Sequence, residues 1–231
     1  TDPLGLSFVY LNIPRPPRAT PFPYKTLCRS VKNLRKAVGK LERAGLTVQY
    51  GSDPLKSHNA IIWFDQGIFI EIYEHSGLSA WSRFLMNIVG YGSMLRRISG
   101  WEDIGNGWCD WCLESAATNL TQERQMLKRV SIEFKCHRAS RVEATGREIF
   151  WDLIMPKDTS VPLIISSYVP DPRPKSTVHA NGATAVKYVV VGTELLYSLL
   201  NQTDLLKIST GSGIKMVKLL GFDTDLIDIL K

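Results

Sequence analysis

No apolar run in this sequence is long enough to cross a bilayer. The most apolar stretch, residues 81–98, is broken by Arg83, Asn87, Gly90, Gly92, Arg96 and Arg97, whereas a spanning helix needs about 20 predominantly apolar residues. No membrane partner is expected. A dense Lys/Arg block is also missing, although the formal charge is +6. With no recognition motif beside that charge, nucleic acid is not an expected partner either; the positive field suits small anions or acidic surfaces. The opening residues, Thr1-Asp2-Pro3-Leu4, read as neither a signal peptide nor a basic presequence, so a cytoplasmic location is expected. Cysteine is scarce: Cys28, Cys109, Cys112 and Cys136 are too few and too scattered for a disulfide scaffold. Cys109 and Cys112 have the spacing of a zinc or redox pair, but on a strand residues three apart face opposite sides and do not share one ion. There is no G-x-S-x-G, phosphate loop, dinucleotide fingerprint or HExxH, which removes most common enzyme classes.

What remains has the composition of a globular chain, with 44% hydrophobic and 22% charged residues, enough to bury a full core. The strongest local pattern is SHNAIIWFDQGIFIEIYE, residues 57–74. Two β-favouring runs flank a short break containing Gly67, which is the form of a hairpin. In its second strand Phe69, Glu71 and Tyr73 share one face, and Ile68, Ile70 and Ile72 share the other. A carboxylate in the middle of such a strand lies either on a wet face or in a cavity where a cation or donor neutralises it. Glu71 is therefore the leading candidate for chemistry.

Along the chain, residues 6–13 read as a strand and the Pro-rich 14–23 as an extended loop. A helix capped at Ser30 carries the stripe Val31, Leu34, Val38 and Leu41 and stops at Gly45. A strand at 46–50 and the hairpin complete the unit. Residues 79–98 read as a helix interrupted near Gly90 and Gly92. Its Trp81, Phe84, Leu85 and Ile88 either cover the sheet or make a subunit contact, as in a homodimer. The order then returns: a strand at 108–114, a helix at 120–129, and strands at 132–137, 148–155 and 163–168. A third pass reads a strand at 185–192, a helix at 194–201, a hairpin of 205–210 with 215–219, and a last strand at 226–230. Three recurrences of one order predict an α+β chain of repeated βαβββ modules, divided at 1–78, 79–104 (a helical connector), 105–175 and 176–231.

The wording of these units resembles the glyoxalase-like members of the vicinal oxygen chelate superfamily. Their strand reading roughly THNAL matches His58-Asn59-Ala60-Ile61, and their YLELI matches Phe69-Ile70-Glu71-Ile72. Further matches are Trp111-Cys112-Leu113 after Gly107-Trp108, Gly146-Arg147 with Trp151-Asp152-Leu153, Val161-Pro162-Leu163-Ile164-Ile165, and His179-Ala180-Asn181-Gly182-Ala183. The resemblance spans residues 6–192. It implies curled mixed sheets around a cavity, in which strand-borne His and Glu hold one divalent metal (Fe, Mn, Ni or Zn) and leave positions open for a small organic substrate.

On that basis the candidate metal ligands are His58, Glu71 and His179, and the catalytic candidates are Glu71 and His179. Where the relatives carry a first-strand His, this chain reads Leu6-Ser7-Phe8, so one ligand is missing and metal-free acid/base catalysis by Glu71 is the other option. The substrate-binding candidates are Asn59, Arg147, whose planar fork suits a carboxylate or phosphate, and Trp111 and Trp151 as pocket walls. Against these stand structural readings: His179 as a turn histidine beside Asn181-Gly182, His58 as a structural hydrogen-bonding residue, and Arg147 as half of a surface pair. The expected function is a pocket enzyme of lyase, isomerase or dioxygenase type. The alternative is a non-catalytic protein that binds or sequesters a small molecule in the same cavity.

Overall fold

A computed structural model describes residues 24–65, 67–74, 79–192 and 205–230. The first unit is β1 (Tyr24–Val31), α1 (Leu34–Arg43), β2 (Gln49–Tyr50), β3 (Asn59–Ile62) and β4 (Phe69–Glu74). Next come α2 (Ala80–Ile88) and α3 (Gly92–Ile104), followed by β5 (Gly107–Glu114), α4 (Thr121–Arg129), β6 (Phe134–Val142), β7 (Glu148–Pro156) and β8 (Leu163–Ile165). The chain ends with β9 (Ala185–Gly192), β10 (Leu206–Ser209), β11 (Gly213–Leu220) and α5 (Leu226–Leu230). Eight strands form one curled mixed sheet in the order β2-β3-β4-β1-β5-β8-β7-β6, and the other three form a second sheet, β10-β9-β11.

The large sheet is two βαβββ units joined side by side. In each, the last strand runs parallel to the first, β4 to β1 and β8 to β5, which requires a crossover, and α1 and α4 supply it. The units meet where β1 and β5 pair antiparallel. Helix α1 starts at Asn33, whose Oδ1 accepts the Lys36 N–H at 2.8 Å, and Glu74 of β4 accepts the Leu34 N–H at 2.9 Å. These acceptors satisfy donors that the first turn leaves open. Its stripe of Leu34, Ala37, Val38 and Leu41 is buried against Leu27, Val31, Ala60, Ile62, Ile70 and Ile72. Strand alternation sends the intervening residues Thr26, Cys28, Ser30, Asn59, Ile61, Phe69, Glu71 and Tyr73 to the other, inner face.

Several expectations are corrected. The first strand of the first unit is β1, and Ser30 lies within it, so the helix cap is Asn33. The strand expected at 6–13, with Ser7, and the helix expected at 194–201 lie outside the described residues. The third unit does not repeat the first two. β10 and β11 do not pair as a hairpin but flank β9, one parallel and the other antiparallel. The chain crosses the end of β9 at Gly192, where a Cβ would stand 2.8 Å from the Gly211 carbonyl carbon and the Ser212 nitrogen. Residues 226–230, expected as a strand, form α5, with Leu226 and Leu230 buried one turn apart.

The connector is two helices, α2 and α3, divided at Gly90 with φ +80°. Of the two roles expected for α2, a cover for the sheet or a subunit contact, the first does not hold: none of its residues is buried, and Trp81 and Phe84 stack at 5.6 Å on its exposed side. Helix α3 does the covering, through Arg97 and Trp101. Among the described residues, no helix is long and apolar enough to cross a membrane.

Candidate functional site

The inner face of the curled sheet gathers most of the polar groups that strand alternation turns away from α1 and α4. β4 brings Glu71, β3 brings Asn59 and β1 brings Cys28. The register sets Cys28 beside Glu71 on one side and Ile61, two residues after Asn59, on the other. Asn59 Nδ2 donates to Glu71 Oε1 at 2.7 Å, and the Cys28 thiol lies 3.8 Å from Glu71 Oε2. The two contacts fix the plane of the carboxyl group. The Cys28 thiol itself is pushed well up, first by burial and then by Glu71, and stays protonated.

β5 contributes Asp110, Cys112 and Glu114 to the same face. Asp110 is held by α3: Arg97 Nη1 donates to its two oxygens at 2.9 and 2.8 Å, and Trp101 Nε1 donates at 3.1 Å. Trp101 also meets Tyr73 edge-on at 5.6 Å, so the helix closes one side of the face. Glu114, fully buried, pairs with Arg173, whose guanidinium lies over the rings of Trp63, Phe69 and Tyr168 at 6.0, 5.9 and 5.9 Å. Burial raises the Glu114 carboxyl, and Arg173 opposes the rise.

Tyr168 stands against Trp151 edge-on at 5.3 Å. Its phenol is raised well above the usual range, first by burial, then by the charges of Glu71, Glu114 and Cys112, with Arg141 opposing. The Tyr168 hydroxyl, near enough to Glu71 to feel its charge, and the Arg173 guanidinium beside the Tyr168 ring thus lie on the same side of the sheet. Thr26 Oγ1, Glu114 Oε1 and Arg141 Nε are buried without a protein hydrogen-bond partner. Alternation places all three on the inner face. Buried polar atoms left open in this way suit a ligand or ordered water.

Of the expected site residues, Glu71, Asn59 and Trp151 share this face. The others do not. Trp111 is 4% exposed in the core on the outer face. Arg147 lies in the β6–β7 turn, its Nε donating to Glu143 at 2.6 Å. His58 is turned outward, lining a cleft with Asn33, Arg35 and Glu74. His179 is buried with both ring nitrogens engaged: Nδ1 accepts the Thr47 N–H at 2.9 Å, and Nε2 donates to the Trp63 carbonyl at 3.0 Å. That is the structural histidine of the alternative reading, with burial lowering its pKa.

The ligand set His58, Glu71 and His179 is therefore not assembled. Among the described residues, no three His, Cys, Asp or Glu side chains converge to hold an ion. The inner-face carboxylates other than Glu71 are each matched to an arginine, and the inner face of β1 carries Thr26, Cys28 and Ser30, with no imidazole. These donors do not fit a divalent metal of the kind that imidazole and carboxylate hold.

Sequence reasoning missed Cys28, Tyr168, Trp101 and Arg173. Alternation reveals Cys28 once β1 starts at Tyr24; Arg173, in a Pro-rich loop, carries no local signal.

A family model for a glyoxalase-like domain matches residues 27–201. Among solved structures, a glyoxalase from Novosphingobium aromaticivorans with Mn(II) bound is 9% identical. That match covers 86% of this chain and 64% of that one, at a TM-score of 0.48. A hypothetical protein from Bacillus halodurans C-125 is 14% identical, with 61% and 89% covered and a TM-score of 0.34. Among curated proteins none matches.

Proposed function

Because the chain belongs to the glyoxalase-like domain family of the vicinal oxygen chelate superfamily, we propose that it transfers a proton on a small organic substrate bound at the inner face of the sheet. The observation that carries this reading is the oriented Glu71 carboxylate, held by Asn59 at 2.7 Å among aromatic rings and protonated thiols. Glu71 takes a proton from a carbon beside a carbonyl. The neutral Tyr168 hydroxyl donates a hydrogen bond to the carbonyl oxygen as negative charge develops there. In a 2-hydroxy ketone or aldehyde, returning the proton to the former carbonyl carbon, while the hydroxyl proton passes to the former carbonyl oxygen, gives an isomerisation; loss of a leaving group with its electron pair from the carbon on the far side of the carbanion gives a lyase reaction. Trp63, Trp151 and Phe69 supply the apolar wall, and burial of the site strengthens each polar contact. The four thiols are free, which suits a reducing compartment such as the cytoplasm.

The test is solvent-deuterium incorporation into a panel of small ketones, aldehydes and 2-oxo acids, followed by proton NMR. Exchange in the wild type should fall at least about a hundredfold in Glu71→Gln, the usual range for losing a general base. Equal exchange in the two proteins overturns the assignment.

A second reading, a sequestering pocket without chemistry, is favoured by one specific observation: both Glu71 oxygens already have internal partners. It predicts ligand quenching of tryptophan fluorescence that is lost in Trp151→Ala and retained in Glu71→Gln.

A further inference from the structure

The outer side of the two central strands holds a group of donors that the inner-face site does not use. β1 and β5 pair Arg29 with Trp108, and cross-strand partners share a face. Arg29 is 3% exposed, and neither its Nε nor its Nη1 has an acceptor; the buried Nε1 of Trp108 has none either. The guanidinium carbon lies 5.6 Å from the Trp108 ring centroid, so three unmatched donors sit together. Asp225 acts on Arg29 electrostatically, but its Oδ1 is turned to the Ile227 N–H at 2.8 Å. Buried polar groups are nearly always matched, and an unmatched buried charge is strongly unfavourable. Of the pair, Trp108 lines a cleft of about 490 Å3 whose wall also carries Arg96, Arg97, Asp110, Ser160 and Ser212, and Arg29 lies off that wall.

We propose that Arg29 and Trp108 form a binding site for a small acceptor-only anion, separate from the Glu71 face. Guanidinium and indole N–H groups both donate and never accept. A planar cation stacked on an aromatic ring keeps its donors free for an oxyanion. The matching chemistry is a phosphate, sulfate or carboxylate group, either free or carried on a small metabolite.

The test uses the full chain at constant ionic strength, titrated with inorganic phosphate, sulfate and acetate, then with phenyl phosphate and benzoate. Binding is read by calorimetry and intrinsic tryptophan fluorescence. Saturable binding of at least one probe is expected. It should be about tenfold weaker or more in Arg29→Met, the loss expected for a hydrogen bond to a charged group. It should be about fivefold weaker in Trp108→Phe, the loss of one neutral bond, and unchanged in Glu71→Gln. Tighter binding of the organic anions supports the site with a metabolite-borne group as its natural ligand; equal binding supports it with a free anion. Without anion, Arg29→Met should withstand urea at least as well as the wild type, because it removes an unmatched buried charge. Trp108→Phe carries the comparison if Arg29→Met does not fold. No saturable binding of any probe, or unchanged affinity in the variants, overturns the proposal.

Discussion

Replacing Arg97 by Met should destabilise the protein by about 3–5 kcal/mol, the range for removing one partner of a buried ion pair. The two side chains are 4% and 6% exposed, so solvent screens their interaction little. Asp110 accepts two bonds from Arg97, one from Trp101 and one from its neighbour Trp111 N–H at 2.8 Å. The change removes the two charge-assisted bonds and leaves the Val161 carbonyl without the Arg97 donor 2.6 Å away. Methionine fills much of the volume, so the loss is electrostatic rather than a cavity. Burial holds the Asp110 carboxyl above its ordinary value, and Arg97 is the first force opposing it; without Arg97 it rises further. A carboxyl whose folded pKa lies above its unfolded value, near 3.9, contributes fully below that value and loses the contribution as pH rises through the folded pKa. The deficit of Arg97→Met should therefore shrink from pH 8 to pH 5. Urea unfolding followed by circular dichroism gives the free energy, with a fall in Tm on the order of 10 °C. Adding Asp110→Leu should recover most of the loss, since an apolar pair often replaces a buried ion pair at little cost. A loss below about 1 kcal/mol, the range of an exposed pair, would refute the reasoning.

Changing His179 to Ala should cost about 1–3 kcal/mol at pH 7.5, because the Thr47 N–H and the Trp63 carbonyl lose their partner; urea titration measures it. Burial lowers the His179 pKa, so the wild type should lose stability as pH falls below the unfolded value near 6.5 toward the folded one, and the variant should lack that component. In a timed thiol assay at pH 8, exposed Cys136 should react first. Cys109, pushed up to about 12 by burial and then Asp110, should lag with Cys28 and Cys112; equal rates for all four would contradict the burial described. Gly192→Ala should cost about 1–3 kcal/mol, because its Cβ would meet backbone rather than a movable side chain; a neutral result in thermal unfolding would show that the β9 crossing yields.

The alternation FIEIYE was enough to place Glu71, since a carboxylate in a strand otherwise rich in Ile and aromatics reads on its own. The hairpin likewise brings Asn59 near it. The start of the first unit was less legible. The inner face of β1 is Thr26, Cys28 and Ser30, so YKTLCRSV looks polar, while residues 6–13 look more like a strand. His179 misled because its role depends on backbone groups 132 and 116 positions away, which no local pattern shows. Arg147 and Trp111 matched family wording, but face is set by register: one register step puts Trp111 on the outer side while Asp110 and Cys112 point inward. β10 and β11 read as a hairpin because a Gly-containing break separates them. Their insertion on both sides of β9 depends on Gly192 admitting the crossing chain. LIDIL is short enough for either helix or strand, and packing of Leu226 and Leu230 decides for helix.

The most direct test of the account is the deuterium-incorporation rate of chelator-treated protein, wild type beside Glu71→Gln, with ligand affinity measured by tryptophan fluorescence on the same samples. The account predicts that the wild type keeps its exchange rate after chelator treatment, and that Glu71→Gln binds with similar affinity but exchanges at least about a hundredfold more slowly. Exchange that disappears with the chelator, or that survives in Glu71→Gln, would contradict it.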